Sequence, residues 1–202
     1  MTAESTGVQT RRDFFNQVAK NWDDSLSPVE VAFLRSVIDK ASTSPKLGKR
    51  ILDLGCGAGV LFPFLEGCAI TALDVSEEML ERARQRHAQH IVEYVRGDAQ
   101  ELPFPAEHFA KVMMLAVYPH IDEPLKAMQE IFRVLKPGGV VALIHLQDAA
   151  IVNHIHASMG GVIANDRLPD ADELRTLLHK AGFEICHFEF EGRIAVICRK
   201  PH

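Results

Sequence analysis

At 202 residues the chain is long enough for one α/β domain with a buried core and short for two. Its 47% hydrophobic and 24% charged residues are typical of a globular protein, and a net charge of −5 argues against a nucleic-acid surface, which needs clustered cations. With no apolar run long enough to cross a bilayer and four cysteines that lack disulfide-framework spacing, we expect a cytoplasmic protein that acts neither on nucleic acid nor at a membrane.

The first part of the chain has the pattern of two helices. Apolar residues recur at helical spacing from Phe14 to Trp22 and predict a helix that ends near Asp23-Asp24, behind a frayed, polar segment of nine residues. A second helix is predicted to start at Ser27-Pro28, because serine caps helices well and proline suits the first turn, and to run through Ile38.

From Arg50 onwards the pattern alternates between strand and helix. The predicted strands are 51–54, 69–73, 91–95, 112–117 and 140–144, followed by a hairpin of 183–190 and 194–198. The predicted helices between them start after Gly59, at Ser76, before Leu125, and at Asp170 or Asp172. Such alternation implies parallel pairing with right-handed crossovers. We therefore predict one α/β domain over residues 1–202, a three-layer sandwich with a seven-stranded, mostly parallel sheet and an antiparallel C-terminal hairpin strand.

The turn after the first strand is the most informative segment of the chain. Three glycines alternate in Asp53-Leu-Gly-Cys-Gly-Ala-Gly59, which lets the backbone approach a ligand at the carboxyl edge of the sheet. The spacing is not the Gly-x-Gly-x-x-Gly of pyrophosphate sites. Asp53 would also repel a pyrophosphate, whereas it could bind an amino group. Asp74 ends the second strand, where an acidic residue accepts hydrogen bonds from ribose hydroxyls.

With these features the chain resembles the class I S-adenosylmethionine (SAM)-dependent methyltransferases, in their small-molecule type 11 group. The resemblance covers nearly the whole chain and implies a Rossmann-like fold and methyl transfer to a small-molecule acceptor. It rests on five motifs in the family's order: Phe14-Phe-x-x-x-Ala-x-x-Trp-Asp23, Ile51-Leu-Asp-Leu-Gly-Cys-Gly-Ala-Gly59, Ala72-Leu-Asp-Val-Ser-x-x-Met-Leu80, Gly97-Asp-Ala-x-x-Leu-Pro-Phe104 and Arg133-Val-Leu-Lys-Pro-Gly-Gly139.

The resemblance also implies a set of cofactor-binding residues. Parts of this set would bind the amino-acid end of SAM, its ribose hydroxyls and its adenine ring, and the backbone at Leu115 would contact its methionyl part. Trp22 and Phe14 would lie on a helical lid formed by residues 1–45, with plain core packing as the alternative for both aromatics. The implied cofactor-binding residues are Asp53, Gly55, Gly57, Gly59, Asp74, Val75, Met79, Asp98, Ala99, Leu115 and Trp22.

The acceptor side would be built from the ends of the fourth and fifth strands. His120 follows the fourth strand and His145 ends the fifth. Because these strands are neighbours in the family's sheet, both imidazoles could face the transferred methyl, with Tyr118 beside them.

A long insert, residues 146–169, precedes the next helix and is the expected substrate-side segment. If the insert is helical, His154 and His156 point to nearly opposite sides, so only one of them can join the site. Gly160-Gly161 shortly afterwards would let the chain turn back, which favours His156.

Three interpretations stay open for His120, His145 and His156. One of them could be a general base towards the acceptor. The three could instead bind a transition-metal ion together with Asp122 or Asp166, since neutral imidazoles suit Zn, Ni, Cu or Fe. They could also be pocket walls. A further alternative is a protein that binds SAM or S-adenosylhomocysteine without transfer activity. The insert carries no side-chain signature of one acceptor chemistry, and the oligomeric state is open.

Overall fold

The computed structural model describes residues 6–22, 25–89 and 92–202, within which a seven-stranded sheet is flanked by six α-helices. The strands are β1 (Arg50–Leu54), β2 (Ala69–Asp74), β3 (Val92–Arg96), β4 (Phe109–Leu115), β5 (Leu135–His145), β6 (Glu184–Glu189) and β7 (Ile194–Arg199). The helices are α1 (Thr6–Val18), α2 (Pro28–Lys40), α3 (Glu77–Arg86), α4 (Pro124–Val134), α5 (Ala149–Met159) and α6 (Ala171–Lys180). The predicted helix end at Asp23-Asp24 and the predicted strand start at Ile91 lie outside the described residues.

The strand order is β3-β2-β1-β4-β5-β7-β6. The first five strands pair in parallel, and β7 lies antiparallel between β5 and β6. The predicted sandwich, including its antiparallel hairpin, is confirmed. The chain builds outward from β1 to β3 and then returns to add β4 on the other side of β1. At such a switch point a ligand crevice opens beyond the carboxyl ends of the strands.

Alternate side chains of the central strands enter two separate apolar clusters. Leu52 and Leu54 of β1 pack in the cluster that contains the inner faces of α4 and α6, whereas Ile51 packs with α2 and α3. This two-residue period is the geometry of a strand, and both faces of a parallel sheet need a helical cover. In the described part of the chain, no helix is long and apolar enough to span a bilayer.

The helix starts predicted from capping residues are confirmed. Ser27 forms a capping box with Glu30, whose carboxylate accepts from the Ser27 amide at 2.8 Å. The Ser76 hydroxyl accepts from the Met79 amide at 3.1 Å, and Asp170, rather than Asp172, caps α6. Three of the predicted boundaries thus follow from local hydrogen bonding alone.

Two helical predictions need correction. Helix α1 begins at Thr6, inside the segment predicted to be frayed, because tertiary contacts of its later residues hold it against α3. The helix predicted after Gly59 is only a short 3₁₀ turn, Phe62–Phe64, with a proline at its centre.

Two strand boundaries also differ from the prediction. Strand β4 ends at Leu115, because Ala116 adopts a left-handed conformation with φ of 57°. Strand β5 begins at Leu135, before the predicted start at residue 140, and the pairing of β4 with β5 shifts register between Phe109 and Lys111. The segment Lys136-Pro-Gly-Gly139 is therefore included in the strand as an irregularity of the sheet.

The glycine turn after β1 allows a matched test of two glycines. Gly55 and Gly57 both have positive φ, 68° and 51°. A Cβ at Gly55 would lie 2.3 Å from Cγ2 of Val117, whereas one at Gly57 would meet no heavy atom within 4 Å. The turn is therefore tight against the protein at Gly55 and open at Gly57.

We expect Gly55→Ala to lower the free energy of unfolding by about 2–4 kcal/mol, from left-handed strain together with overpacking. Gly57→Ala carries the strain alone and should lower it by about 1–2 kcal/mol. Urea denaturation of both variants beside the wild type measures the difference. Equal losses would show that contact with Val117 does not explain the glycine at position 55.

Candidate functional site

A cavity of about 600 Å³ opens at the carboxyl ends of β1, β2, β4 and β5. Its size lies within the range of small-molecule sites. The glycine turn and Asp74 line one part of it, and His145 lines another. Helices α1 and α5 complete the wall from outside the sheet, so residues far apart in the chain meet around one space.

Most of the predicted cofactor-binding residues lie on the cavity wall. Gly59 is an exception, because a Cβ there would meet the ring of Phe62 at 2.7 Å and that of His87 at 2.8 Å. Glycine at this position is thus required by packing, whereas Gly57 leaves open space towards a ligand. The predicted residues on the wall are Trp22, Asp53, Gly55, Gly57, Asp74, Val75, Met79, Asp98, Ala99 and Leu115.

Asp53 is a buried carboxyl with an unsatisfied oxygen. The residue is 1% exposed, and its Oδ2 has no hydrogen-bond partner. Burial, together with the nearby charge of Asp74, raises the pKa of Asp53 to about 8. A carboxyl in this state binds a cation strongly, because the cation offsets both effects.

Asp74 and Asp98 are held in place by hydrogen bonds from nearby residues. The two oxygens of Asp74 accept from the amides of Gly57 and Ser76, each at 2.9 Å. Burial raises the pKa of Asp74, and these backbone amides oppose the shift. Asp98 accepts from the Gln100 amide at 2.9 Å. The side-chain amide of Gln100 also donates to both Asp98 oxygens, at 3.1 Å. A second lone pair therefore stays available for a ligand on each oxygen of Asp74 and on Oδ2 of Asp98.

The predicted histidines line the other part of the cavity. Nδ1 of His120 lies 2.7 Å from Oδ2 of Asp166, and Nδ1 of His156 lies 2.8 Å from the Asp166 carbonyl oxygen. Both partners can only accept, so we assign the proton of each ring to Nδ1. In the neutral ring of His120, which its lowered pKa favours, Nε2 is then unprotonated. The two rings are 4.9 Å apart between centroids.

His145 is a buried, neutral imidazole. It is 2% exposed, and its Nε2 has no hydrogen-bond partner. Burial, with the neighbouring His120 and His156, lowers the pKa of His145 to about 3. Burial also lowers the pKa of His120, although Asp166 opposes this shift. His154 is exposed on the far side of α5, as expected for a residue two positions from His156.

Sequence reasoning missed Arg11 and Phe15, and it named Asp166 only as a metal ligand. Arg11 donates from Nε and Nη2 to the two Asp166 oxygens, at 3.1 and 2.6 Å. The aromatic residue that lines the cavity with Trp22 is Phe15 and not Phe14: the Phe15 ring lies 5.0 Å from His120, and Phe14 packs against Phe15 at 5.2 Å. No local pattern joins positions 11 and 166.

Tyr118 does not reach the histidines, contrary to expectation. It is 3% exposed in the apolar core and borders a smaller cavity with Leu125 and Pro169. Burial raises the pKa of Tyr118 to about 12, so its hydroxyl stays protonated near neutral pH. The cause is the 3₁₀ turn Tyr118–His120, which directs nearby side chains to different sides.

The metal hypothesis has no support in the described structure. Among residues 6–22, 25–89 and 92–202, no group of three or more His, Cys, Asp or Glu side chains could hold a metal ion. The Arg11 guanidinium contacts both Asp166 and Asp122, the carboxylates suggested as further ligands. It therefore adds positive charge where a metal cation would need negative charge.

Comparison with known proteins identifies the family. The family described as a methyltransferase domain matches residues 52–143. A ubiquinone/menaquinone biosynthesis C-methyltransferase, UbiE, of Vibrio cholerae is 30% identical over 222 residues, covering 92% of this chain and 84% of the relative. The chain belongs to the class I SAM-dependent methyltransferases, in the type 11 group. It is a SAM-dependent methyltransferase with a Rossmann-like fold.

Other relatives and structures extend this comparison. A demethylmenaquinone methyltransferase of Clavibacter sepedonicus is 37% identical over 64% of this chain, a match that spans 55% of that relative. An O-methyltransferase, rstn1, of Aspergillus nomiae is 30% identical over 83% of this chain and 80% of its own. The SAM-dependent methyltransferase of Mesorhizobium loti shares the fold at a TM-score of 0.67 and 20% identity, covering 83% of this chain and 96% of its own. The [4+2]-cyclase SpnF shares the fold at a TM-score of 0.72 and 22% identity, covering 96% of this chain and 97% of its own.

The residues around the cavity fit SAM in charge and shape. The unsatisfied Oδ2 of Asp53 matches the ammonium group of SAM, and the open face of Gly57 lets a ligand approach the backbone. Asp74, fixed by two amides, can accept from hydroxyl groups with its remaining lone pairs. Asp53 therefore provides the most direct test of this fit.

We expect SAM affinity to rise with pH between about 6 and about 8, by up to about tenfold per unit. In the free protein Asp53 is protonated below its raised pKa, and pairing with an ammonium requires the carboxylate, so binding releases a proton. The same shift means that Asp53 stabilises the unliganded fold at low pH and that this contribution is lost as the pH rises through about 8.

Isothermal titration calorimetry in buffers of different ionisation enthalpy measures the released proton. Asp53→Asn should bind SAM more weakly and without this proton release, and it also controls for titration of the ligand's own amine. Identical proton release by the wild type and Asp53→Asn would rule out the pairing.

Proposed function

We propose that this enzyme methylates a carbon of a neutral, hydroxylated aromatic acceptor of the quinol class, with His120 as the general base. The observation that carries the proposal is a hydrogen bond of His120, which lines the cavity. Its ring donates to the buried Asp166 at 2.7 Å. This hydrogen bond fixes the ring and leaves Nε2 unprotonated, so that Nε2 can accept a proton from the acceptor as a general base must.

The charge of the acceptor side supports a neutral acceptor. Burial lowers the pKa of His120 and His145, so both imidazoles are uncharged near neutral pH. The neighbouring wall, formed by Leu146, Val152 and Ile155, is apolar. The charge of Arg11 is paired with Asp166 and Asp122, and that of Glu30 is taken up by the cap of α2. A charged acceptor would therefore lack a counter-charge among these described residues.

The relatives support the acceptor class and the acceptor atom. UbiE of Vibrio cholerae is named for ubiquinone and menaquinone biosynthesis and as a C-methyltransferase, and the Clavibacter sepedonicus relative is named for demethylmenaquinone. We take from these names an acceptor with a quinone ring, used in its hydroxylated, reduced form. A hydroxyl group on the ring gives the base a proton to remove.

In the proposed mechanism, SAM supplies an electrophilic methyl group on a sulfonium sulfur. Nε2 of His120 accepts the hydroxyl proton of the acceptor, which raises the electron density on the adjacent ring carbons. Asp166 holds Nδ1 of the ring and stabilises the imidazolium that forms. His145 offers its unpartnered Nε2 to a hydroxyl of the acceptor. The ring carbon that takes the methyl group then loses its own proton, and the phenolate oxygen regains a proton from the His120 imidazolium, which restores the aromatic ring and both hydroxyl groups. The net products are the methylated acceptor, S-adenosylhomocysteine and one proton.

We also propose the roles of the two covering segments. Residues 1–45 act as a lid, for which α1 supplies Arg11 and Phe15, and the insert 146–169 supplies His156 and Asp166 to the acceptor side. Together they exclude water, which matters because water would compete for the base and weaken its electrostatic interactions. His156 is a wall residue in this scheme, since its Nδ1 is tied to the Asp166 carbonyl.

O-methylation is the second candidate. The Aspergillus nomiae relative, named an O-methyltransferase, matches 83% of this chain at 30% identity. The same base would serve, because removal of the hydroxyl proton also activates the oxygen. The two candidates differ only in which acceptor atom faces the methyl group.

The test uses chemically reduced naphthoquinone with SAM, and measures S-adenosylhomocysteine together with the product. A carbon-methylated product keeps both hydroxyl groups, and a methyl ether loses one, which NMR distinguishes.

His120→Ala should lower kcat by about 10²–10⁴-fold. The exposed His179→Ala is the matched control. Retained kcat in His120→Ala would remove the general base from the proposal, and SAM binding without turnover of any quinol would favour the binding-protein alternative.

The pH profile gives a separate check of the base. Since burial lowers the pKa of His120 below its usual 6.5, kcat should stay level down to about that pH and fall only below it. The rate falls on the acid side because a base must be unprotonated to accept the proton. An acid limb that is unchanged in His120→Ala would assign the limb to another group.

A further inference from the structure

We infer that Arg11 is a positioning residue, whose two-point contact with Asp166 sets the orientation of His120 when α1 lies over the cavity. The catalytic part of this inference rests on the proposed function of His120 as a base. The coupling of Arg11 to His120 through Asp166 rests on the contacts alone and can be tested without an acceptor.

The contact between Arg11 and Asp166 is a buried, bidentate ion pair. Nε and Nη2 of Arg11 reach Oδ2 and Oδ1 of Asp166 at 3.1 and 2.6 Å, and the side chains are 14% and 1% exposed. Nη1 contacts Asp122 as well. The planar fork of a guanidinium fixes the plane of a carboxylate, which the point charge of a lysine does not.

Oδ2 of Asp166 is shared between Arg11 and His120. It accepts from Nε of Arg11 and from Nδ1 of His120 at 2.7 Å. The plane set by the guanidinium therefore determines where His120 finds its acceptor. Burial raises the pKa of Asp166, but the hydrogen bonds from His120 and Arg11 outweigh it and lower this pKa to about 2, so the carboxylate is charged.

Helix α1 connects this arrangement with the cofactor side of the cavity. The Phe15 ring lies edge-on to His120 at 5.0 Å. Oδ1 of Asn16 accepts from the Ser76 hydroxyl at 2.7 Å, and the Ser76 amide donates to Asp74. Helix α1 thus contacts both the histidine side and the cofactor side of the cavity. Arg11 can reach Asp166 only while α1 lies over the cavity.

A stabilising role alone does not explain this choice of residues. A buried ion pair contributes little net stability compared with apolar residues of similar volume. The shared oxygen is the specific feature, because it makes the base depend on the ion pair. We therefore expect variants that remove the charge of Arg11 to change the titration of His120, which a purely structural contact would not change.

Charged and titratable groups approach His120 from several elements. Asp166 raises its pKa, and Arg11 and His156 lower it, in addition to the effect of burial. His120 in turn acts on His145. The groups to consider are Arg11 from α1, Asp122 after β4, His145 from β5, His156 from α5 and Asp166 after α5.

The test is an NMR titration of isotopically labelled histidine, with the His120 signal assigned from its absence in His120→Asn. Arg11→Gln should raise the pKa of His120, because a cation is lost, and Asp166→Asn should lower it, because an anion is lost. Arg11→Lys keeps the charge and should leave the titration near that of the wild type. Arg12→Gln is the matched control, since Arg12 pairs only with its neighbour Asp13 at 3.4 Å among the contacts described.

Thermal unfolding identifies variants that fail to fold, and Arg11→Lys remains informative if Asp166→Asn is one of them. With a quinol that turns over, Arg11→Gln and Arg11→Lys should each lower kcat by about 10- to 100-fold, with Kd for SAM changed less than about threefold. If kcat falls in Arg11→Lys while the His120 titration is unshifted, the geometry of the guanidinium fork is the cause of the loss. If no quinol turns over, the proposed function fails, and the titration still decides whether Arg11 is coupled to His120.

A His120 titration that is the same in Arg11→Gln as in Arg12→Gln would overturn the inference. So would shifts of the same direction in Arg11→Gln and Asp166→Asn, because opposite charges removed from one network must act with opposite signs. Equal kcat for Arg11→Lys and the wild type would leave only the charge of Arg11 and refute the role of its fork.

Discussion

Removing a carboxylate from water costs free energy unless its charge is paired or hydrogen-bonded, and this protein buries three around one cavity. Asp74 is compensated by backbone amides at the end of β2. Asp166 is compensated by the guanidinium of Arg11 and the imidazole of His120. Asp53 has an oxygen with no partner. Asp74 and Asp166 are thus satisfied within the fold, whereas Asp53 keeps an oxygen that is complementary to a cationic ligand. Asp53 and Asp74 belong to the proposed cofactor half of the cavity, and Asp166 belongs to the proposed acceptor half.

The two halves depend on different parts of the architecture. The cofactor half follows from the sheet, because the parallel strands β1 and β2 end at the same edge and present Asp53 and Asp74 together. The acceptor half depends on α1 and α5, which are not part of the sheet and reach the cavity from its open side. A site assembled in this way needs contacts that hold its covering elements over the cavity. The ion pair of Arg11 with Asp166 joins α1 to the segment that follows α5, and Phe15 packs against the histidine that the pair orients.

The features that sequence predicts well are those with short-range causes. Strand and helix alternation, helix caps and the glycine turn depend on residues within a few positions, and Asp53 and Asp74 follow from where strands end. The pairing of Arg11 with Asp166 spans 155 positions, and α1 is polar enough to look like a solvated segment. The prediction that Tyr118 lies beside the histidines fails for a related reason, because a single 3₁₀ turn decides whether Tyr118 or His120 faces the cavity. Rotation of a short turn depends on tertiary packing, which periodicity does not encode.

The pairing of His120 with Asp166 bears on which acceptor atom is methylated. A phenolate shares its negative charge between oxygen and the adjacent ring carbons, so removal of the proton activates both. In the proposed mechanism, the imidazolium formed by this proton transfer is stabilised by Asp166 and remains hydrogen-bonded to the phenolate oxygen. That hydrogen bond takes one of the oxygen's lone pairs and lowers the nucleophilicity of the oxygen relative to the ring carbons. Under this proposal, a base fixed on a buried carboxylate favours carbon over oxygen as the acceptor atom.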